Sequence, residues 1–262
     1  MEILKILTDY YSNYDEEGRL LSRHGSVEYL TTMRYVEKYL QPGMRILEVG
    51  AATGRYSHAL AQMGYRVDAV ELVQHNIDLF NEKTQPGEQV TIRQGNAMDL
   101  SFFEDHSFDM TLVLGPMYHL FTVEAQKLAL SEAIRVTKSG GVIFAAYCGN
   151  EATMVQYCFG RGMIREQRYR DLIDPVTFKA SSDPAELFQL YRKEEIDALM
   201  KDFPVERLHY VGTDMATNYM RRTIEEMDDA LFELYLQYHF AICERSDCVG
   251  TSHHILDIFR KL

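Results

Sequence analysis

Apolar positions along the first 150 residues keep two rhythms that take turns. Arg45–Val49, Tyr65–Glu71, Gln89–Gln94, Phe108–Leu114 and Val142–Tyr147 are short apolar or alternating runs, the pattern of strands. Phe108–Leu114 is nearly continuous in its apolar residues, as a strand buried on both faces is. Between these runs the spacing changes to three and four. Helices are predicted from Gly54 to about Met63, over Asn76–Lys83, and over Val123–Val136, the last stopped by Lys138-Ser139-Gly140-Gly141. Strands that alternate with helices of about ten residues or more imply parallel βαβ units in a doubly wound α/β sheet.

The two ends of the chain depart from this rhythm. Residues 1–40 read as helical, with a turn near Glu16-Glu17-Gly18, and Gln41-Pro42-Gly43 then breaks the pattern. Beyond Gly149 regularity lapses, and residues 150–190 mix glycine, proline, tyrosine and charge. Lys193–Lys201 is again helical and Val205–Thr213 strand-like. Ile224, Met227, Leu231, Leu234, Tyr235 and Tyr238 mark one long amphipathic helix, and His253–Phe259 a last strand. The expectation is one domain over residues 1–262, with 1–40 as an N-terminal helical lid and 150–190 as an inserted cap.

Composition narrows the partners. The formal net charge is −12, and no stretch is basic for long. A protein that grips phosphate backbones relies on a basic face, so a nucleic-acid partner is disfavoured and a small molecule favoured. No segment approaches the ~20 apolar residues of a membrane helix, and the acidic N-terminus is unlike a signal peptide. No membrane association and a cytoplasmic setting are expected. The four cysteines form no Cys-x-x-Cys pair and read as buried or free thiols.

The candidate chemistry begins at Met44–Leu60. There a strand delivers the chain through Gly50-Ala51-Ala52-Thr53-Gly54 into a helix, an arrangement suited to a nucleotide-like ligand. The spacing is Gly50-x-Ala52-x-Gly54 with Arg55 next, unlike the Gly-x-Gly-x-x-Gly shaped for a pyrophosphate. Ala52 narrows the loop by a methyl group, which a negative φ would make tolerable. Glu48 ends an otherwise apolar strand, where burial is costly without a partner. Glu71, at the end of the second strand, is placed to accept from both ribose hydroxyls, with Leu72 and Val73 flanking an adenine.

The loop resembles the Glu/Asp-x-Gly-x-Gly-x-Gly motif of class I S-adenosylmethionine (SAM)-dependent methyltransferases, with Ala52 in the place of the middle glycine. Gln94-Gly95-Asn96-Ala97-Met98-Asp99-Leu100 resembles that family's Gly-Asp-Ala-x-x-Leu, Asn96 standing where an aspartate is usual. Leu114-Gly115-Pro116-Met117-Tyr118-His119-Leu120 resembles the Gly-Pro-Leu-Tyr-His-Leu signature of a bacterial group within it. The resemblance implies a Rossmann-like doubly wound sheet of seven strands, the last two an antiparallel hairpin, and SAM as cofactor. It also implies that Glu48, Gly50, Ala51, Ala52, Gly54, Glu71, Leu72, Asn96, Ala97, Leu114 and Gly115 bind it, with Asp99 a rival to Asn96 at the adenine.

Methyl transfer needs a base only where the acceptor must lose a proton. His119 is the first candidate, because imidazole titrates near neutral pH, followed by Tyr118, Tyr14 and His24. In the lid, Tyr14 would cover the ligand and Arg19 would pair with a carboxylate. No metal site is expected: His253 and His254 are neighbours in a strand, where side chains point to opposite faces. The competing readings are an NAD(P)-dependent oxidoreductase and a SAM-binding module without catalysis. The acceptor's identity, and which of its atoms is methylated, are not legible.

Overall fold

In the computed structural model, residues 2–12, 16–184 and 188–262 are described. Three helices lead: α1 (Glu2–Tyr11), α2 (Glu16–Leu21) and α3 (Arg23–Tyr39). Residues 16–18 therefore open a helix instead of a turn. The break falls at Ser22, whose hydroxyl accepts the Gly25 N–H at 3.1 Å and caps α3.

The central sheet follows, with β1 (Arg45–Val49), α4 (Arg55–Gln62), β2 (Arg66–Glu71), α5 (Gln74–Lys83), β3 (Val90–Gln94), β4 (Phe108–Val113), α6 (Val123–Val136) and β5 (Thr137–Gly149). The first five strands pair in parallel in the order β3-β2-β1-β4-β5. The order reverses direction at β1 and β4, so the carboxyl ends of these two strands flank the crevice where such sheets take a ligand. Lys138–Gly141, read above as a stop, is the start of the long β5; its pairing with β4 shifts register between Phe108 and Met110.

Segment 150–184 carries α7 (Asn150–Thr153), a π-helical stretch (Met154–Phe159), a 3-10 turn (Met163–Arg165) and α8 (Gln167–Arg170). Then come β6 (Leu190–Tyr191), α9 (Lys193–Met200), β7 (Val205–Gly212), α10 (Arg221–Glu225), α11 (Asp229–Ile242) and β8 (His254–Lys261). Strands β7 and β8 are antiparallel, and β8 is antiparallel to β5.

Two expectations change here. The sheet has eight described strands, because the two-residue β6 pairs with the end of β5. The single long helix is two, because the Asp228 carboxylate accepts the Leu231 N–H at 2.8 Å and starts a new helix.

Apolar residues from both sheet faces form the core. Leu47, Val113, Ile143 and Phe259 pack toward α6 and α9, while Ile46, Leu112, Phe144 and Ile258 pack toward α3 and α4. Rigid strands of this kind hold the loops at their ends in fixed positions. All four cysteines are free, and three are buried. Among the described residues no helix is long and apolar enough to cross a membrane.

Candidate functional site

A cavity of about 530 Å³ opens at the carboxyl ends of β1, β2 and β4. Glu48, Gly50, Ala51, Ala52, Glu71, Leu72, Asn96, Ala97, Leu114, Gly115, Tyr118, His119 and Arg19 all line it. Three sequence motifs far apart in the chain thus meet around one space.

The glycine loop is shaped by close approaches. Gly50 has φ +79°, and a Cβ there would stand 2.6 Å from Pro116 Cδ, so the first motif and the Gly-Pro motif touch only because Gly50 has no side chain. Gly54, at φ +87°, packs against Phe80 and does not line the cavity. Ala52 adopts φ +45°, contrary to the negative value expected. Its N–H donates to Glu71 Oε2 at 2.9 Å, and that bond holds the left-handed turn.

Two buried acids define the polarity. Glu48 accepts from the Ser57 hydroxyl at the first turn of α4. Burial, reinforced by the negative charge of Glu71 and only partly offset by Ser57, pushes its pKa up to about 8. Glu71 accepts the Ala52 N–H, the Val73 N–H at 2.9 Å and the Asn76 amide at 3.3 Å, yet burial still holds its pKa above the usual carboxylate range. A carboxylate offers about four lone-pair sites, so Glu71 has room for about one new donor unless Asn76 yields. An acid kept part-neutral by burial is stabilised as an anion when a cation arrives beside it.

The adenine-side expectation is revised. Asn96 lines the cavity, but its Oδ1 accepts the Met98 N–H at 3.0 Å in a local turn, which leaves one lone pair. Asp99 is no rival: it accepts from the Ser101 N–H at 3.1 Å and does not line the cavity.

The catalytic candidates separate. Tyr14 lies outside the described residues. His24 is bound to Glu225, 2.6 Å away, and does not line this cavity. His119 sits in a 3-10 turn, Pro116–His119, and shares a 2.7 Å hydrogen bond with the Tyr11 hydroxyl. Tyr118 donates to the Leu114 carbonyl at 3.0 Å. The turn is anchored from β6, where the Tyr191 hydroxyl donates to the Met117 carbonyl at 2.6 Å. Arg19 is at the cavity but forms a two-point ion pair with Glu28, 2.6 Å at its closest.

Sequence reasoning missed Tyr11, Glu28, Arg55 and His254, which also line this cavity. Arg55 lies over the Tyr29 ring, and its buried Nε has no hydrogen-bond partner. A buried guanidinium N–H facing a cavity calls for an acceptor. A ligand with an ammonium for Glu48, a hydroxyl for Glu71 and a carboxylate for Arg55 fits this lining, and SAM carries all three.

A second cavity, of about 520 Å³, shares Tyr11, Arg19, Tyr118 and His254 with the first. Tyr157, Met163, Tyr169, Leu172 and Phe188 supply much of its wall, with Arg161 and Arg221 as further cations.

Residues 47–145 match the model of a methyltransferase-domain family. A protein of Encephalitozoon cuniculi described as a methyltransferase is 26% identical over 189 residues, covering 72% of this chain and 83% of that one. The ubiquinone biosynthesis O-methyltransferase of Methylocella silvestris is 31% identical over 128 residues, 48% of either chain, so this chain spans about half of that relative's length. In fold, the chain is similar to magnesium protoporphyrin IX methyltransferase of Synechocystis, solved with S-adenosylhomocysteine bound. The TM-score is 0.57 at 12% identity, over 95% of this chain and 88% of that one.

Proposed function

Proceeding from a chain that is a SAM-dependent methyltransferase with SAM as its cofactor, we propose that it methylates a small-molecule acceptor held in the second cavity. The observation that carries this reading is the shared wall of the two cavities. Tyr11, Arg19, Tyr118 and His254 face both spaces, so a molecule in one lies against a molecule in the other.

In this reading Glu48 and Arg55 hold the amino-acid end of the cofactor and Glu71 its ribose. Asn96 and Ala97 meet the adenine, and the backbone at Leu114 and Gly115 lies along the methionine end. SAM supplies an electrophilic methyl group on a sulfonium. The chain's own work is to align the acceptor with that methyl group and exclude water, which can account for much of the acceleration of an in-line displacement. His119, held by Tyr11, lines the first cavity and not the second, so it takes a proton only from an acceptor group that reaches past the shared wall to the methyl group.

Residues 150–190 act as a cap over the acceptor and 1–40 as a lid. Tyr157, Met163, Tyr169 and Leu172 come from the first of these segments, and Tyr10 and Tyr11 from the second. The aromatic wall suits an apolar or aromatic acceptor with a polar group for Arg161 or Arg221. Similarity to a ubiquinone biosynthesis O-methyltransferase supports a small molecule, and the net charge of −12 disfavours nucleic acid in a cytoplasmic setting.

The test is transfer of labelled methyl from SAM across a metabolite panel, with S-adenosylhomocysteine binding measured beside it. Label on a small molecule supports the reading. Binding with no transfer to any acceptor points to a non-catalytic SAM-binding module, and NADH binding in place of S-adenosylhomocysteine would restore the oxidoreductase reading.

A further inference from the structure

We propose that Cys148, His253 and His254 bind one zinc ion between the two cavities, with an open coordination position toward the second. The inference stands on these three side chains and does not depend on which acceptor is methylated.

Cys148 near the end of β5 and His254 at the start of β8 are direct antiparallel partners, so their side chains rise from one face of the sheet. His253 precedes β8, so strand alternation does not turn it away from His254. The two rings meet edge to face with centroids 4.7 Å apart, contrary to the divergence expected from sequence. One ligand atom from each of the three residues lies within 4.8 Å of the other two. Tetrahedral zinc, with bonds of about 2.0–2.3 Å, holds ligand atoms roughly 3.5 Å apart. Closing the difference takes side-chain movements of about 1 Å.

The donors suit the ion. A thiolate and two imidazoles are ligands of a borderline-soft cation, and three protein ligands with a free fourth position is the pattern of reactive zinc sites. His253 and His254 line the second cavity, which places that position beside the acceptor space. His253 Nδ1 is buried and has no hydrogen-bond partner, a donor set aside for something other than protein.

The surroundings also suit it. His254 Nδ1 is 2.7 Å from Asp214 Oδ2 and 3.2 Å from Glu28 Oε2. A carboxylate on the far nitrogen fixes the tautomer and orients the ring, leaving Nε2 to ligate. Asp214 is held in turn by the Ser252 hydroxyl, the His253 and His254 N–H groups and the Asn218 amide, and Glu28 by Arg19. Charge closes as well: the thiolate, Asp214 and Glu28 together balance zinc and the Arg19 guanidinium, as a buried ion requires.

The test uses the untagged full-length protein, loaded with zinc, dialysed and analysed for metal. Affinity is read by competition with a chromogenic chelator, and cobalt substitution provides a spectrum. One zinc per chain is expected, with a thiolate-to-cobalt charge-transfer band. Cys148→Ser should abolish the band, and both Cys148→Ser and His253→Ala should weaken zinc binding at least 100-fold. S-adenosylhomocysteine binding and the metal-free melting transition serve as controls for folding. If Cys148→Ser fails them, His253→Ala carries the comparison through zinc affinity and the cobalt spectrum. A chain that holds no zinc tighter than micromolar, or folded variants that bind it as the parent does, would overturn the site.

Discussion

The Tyr11 hydroxyl and His119 Nε2 stand 2.7 Å apart, joining the first helix to the 3-10 turn that follows β4 across 108 positions of sequence. Their rings meet edge to face, and the Phe188 ring packs against the imidazole with centroids 5.5 Å apart. Such a histidine is held in one orientation, as a proton acceptor must be. For an acceptor that loses a proton, His119→Ala should lower kcat by about 10²-fold or more. Tyr11→Phe should cost less and displace the pH–rate profile, because it keeps the ring contact and removes only the hydrogen bond. Steady-state kinetics over pH check both, and an unchanged kcat in His119→Ala would leave alignment alone as the source of rate.

In the proposed site Glu48 would couple cofactor binding to protons. Its carboxyl is pushed up to about 8 by burial, so at pH 7 in the free protein it is largely protonated. An ammonium bound beside it favours the anion, so binding at pH 7 should release close to one proton from this site. Calorimetry with S-adenosylhomocysteine in buffers of different ionisation enthalpy measures the release, and Glu48→Gln should reduce it by that amount. Stability has the same origin. A carboxyl whose folded pKa is raised contributes stability that is complete below its ordinary value of 4.5 and is lost as pH climbs through about 8. The melting temperature of the free protein should therefore fall relative to Glu48→Gln over that window.

Glu71 holds the loop and, in the proposed site, would also meet the ligand. Its carboxylate ties the N–H groups of Ala52 and Val73, both of which line the cavity. Glu71→Ala removes an acceptor for the ribose and frees the loop, and should weaken S-adenosylhomocysteine at least tenfold, about 1.4 kcal/mol. Calorimetry at constant pH decides it. Unchanged affinity would take Glu71 out of the site.

The parts of this site legible in sequence share a cause. Glu48, Glu71 and Gly115 lie at or just past strand ends in a parallel sheet, and the period-two runs that locate those strands are local in the chain. Tyr11, Glu28 and His254 were not legible, because each reaches the cavity through packing between elements far apart in sequence. Glu28 lies nine residues past Arg19, and nothing local in the sequence marks their pairing. The helix break at Asp228 hid behind a continuous apolar spacing, although an aspartate followed three residues later by a cappable N–H is a start signal. Two-residue β6 is too short to show any period.

The loop itself gives the last test, because substitutions two positions apart should move in opposite directions. Ala52 holds φ +45°, a region that costs a residue with a Cβ on the order of 1 kcal/mol or more. Ala52→Gly relieves that cost and adds freedom to the unfolded chain worth about 0.4–1 kcal/mol. The net should be neutral to stabilising by up to about 1 kcal/mol, with the Ala52 N–H bond to Glu71 kept. Gly54 is the reverse case. At φ +87°, with a Cβ placed 2.4 Å from the Phe80 ring, Gly54→Ala meets both an unfavourable backbone and an overpacked contact. It should lose about 1–3 kcal/mol or more. Denaturant unfolding of the two variants beside the parent checks the pair, with S-adenosylhomocysteine binding kept in Ala52→Gly. A destabilised Ala52→Gly together with an undisturbed Gly54→Ala would mean that the turn is held in some other way than by its backbone angles and the Glu71 bond.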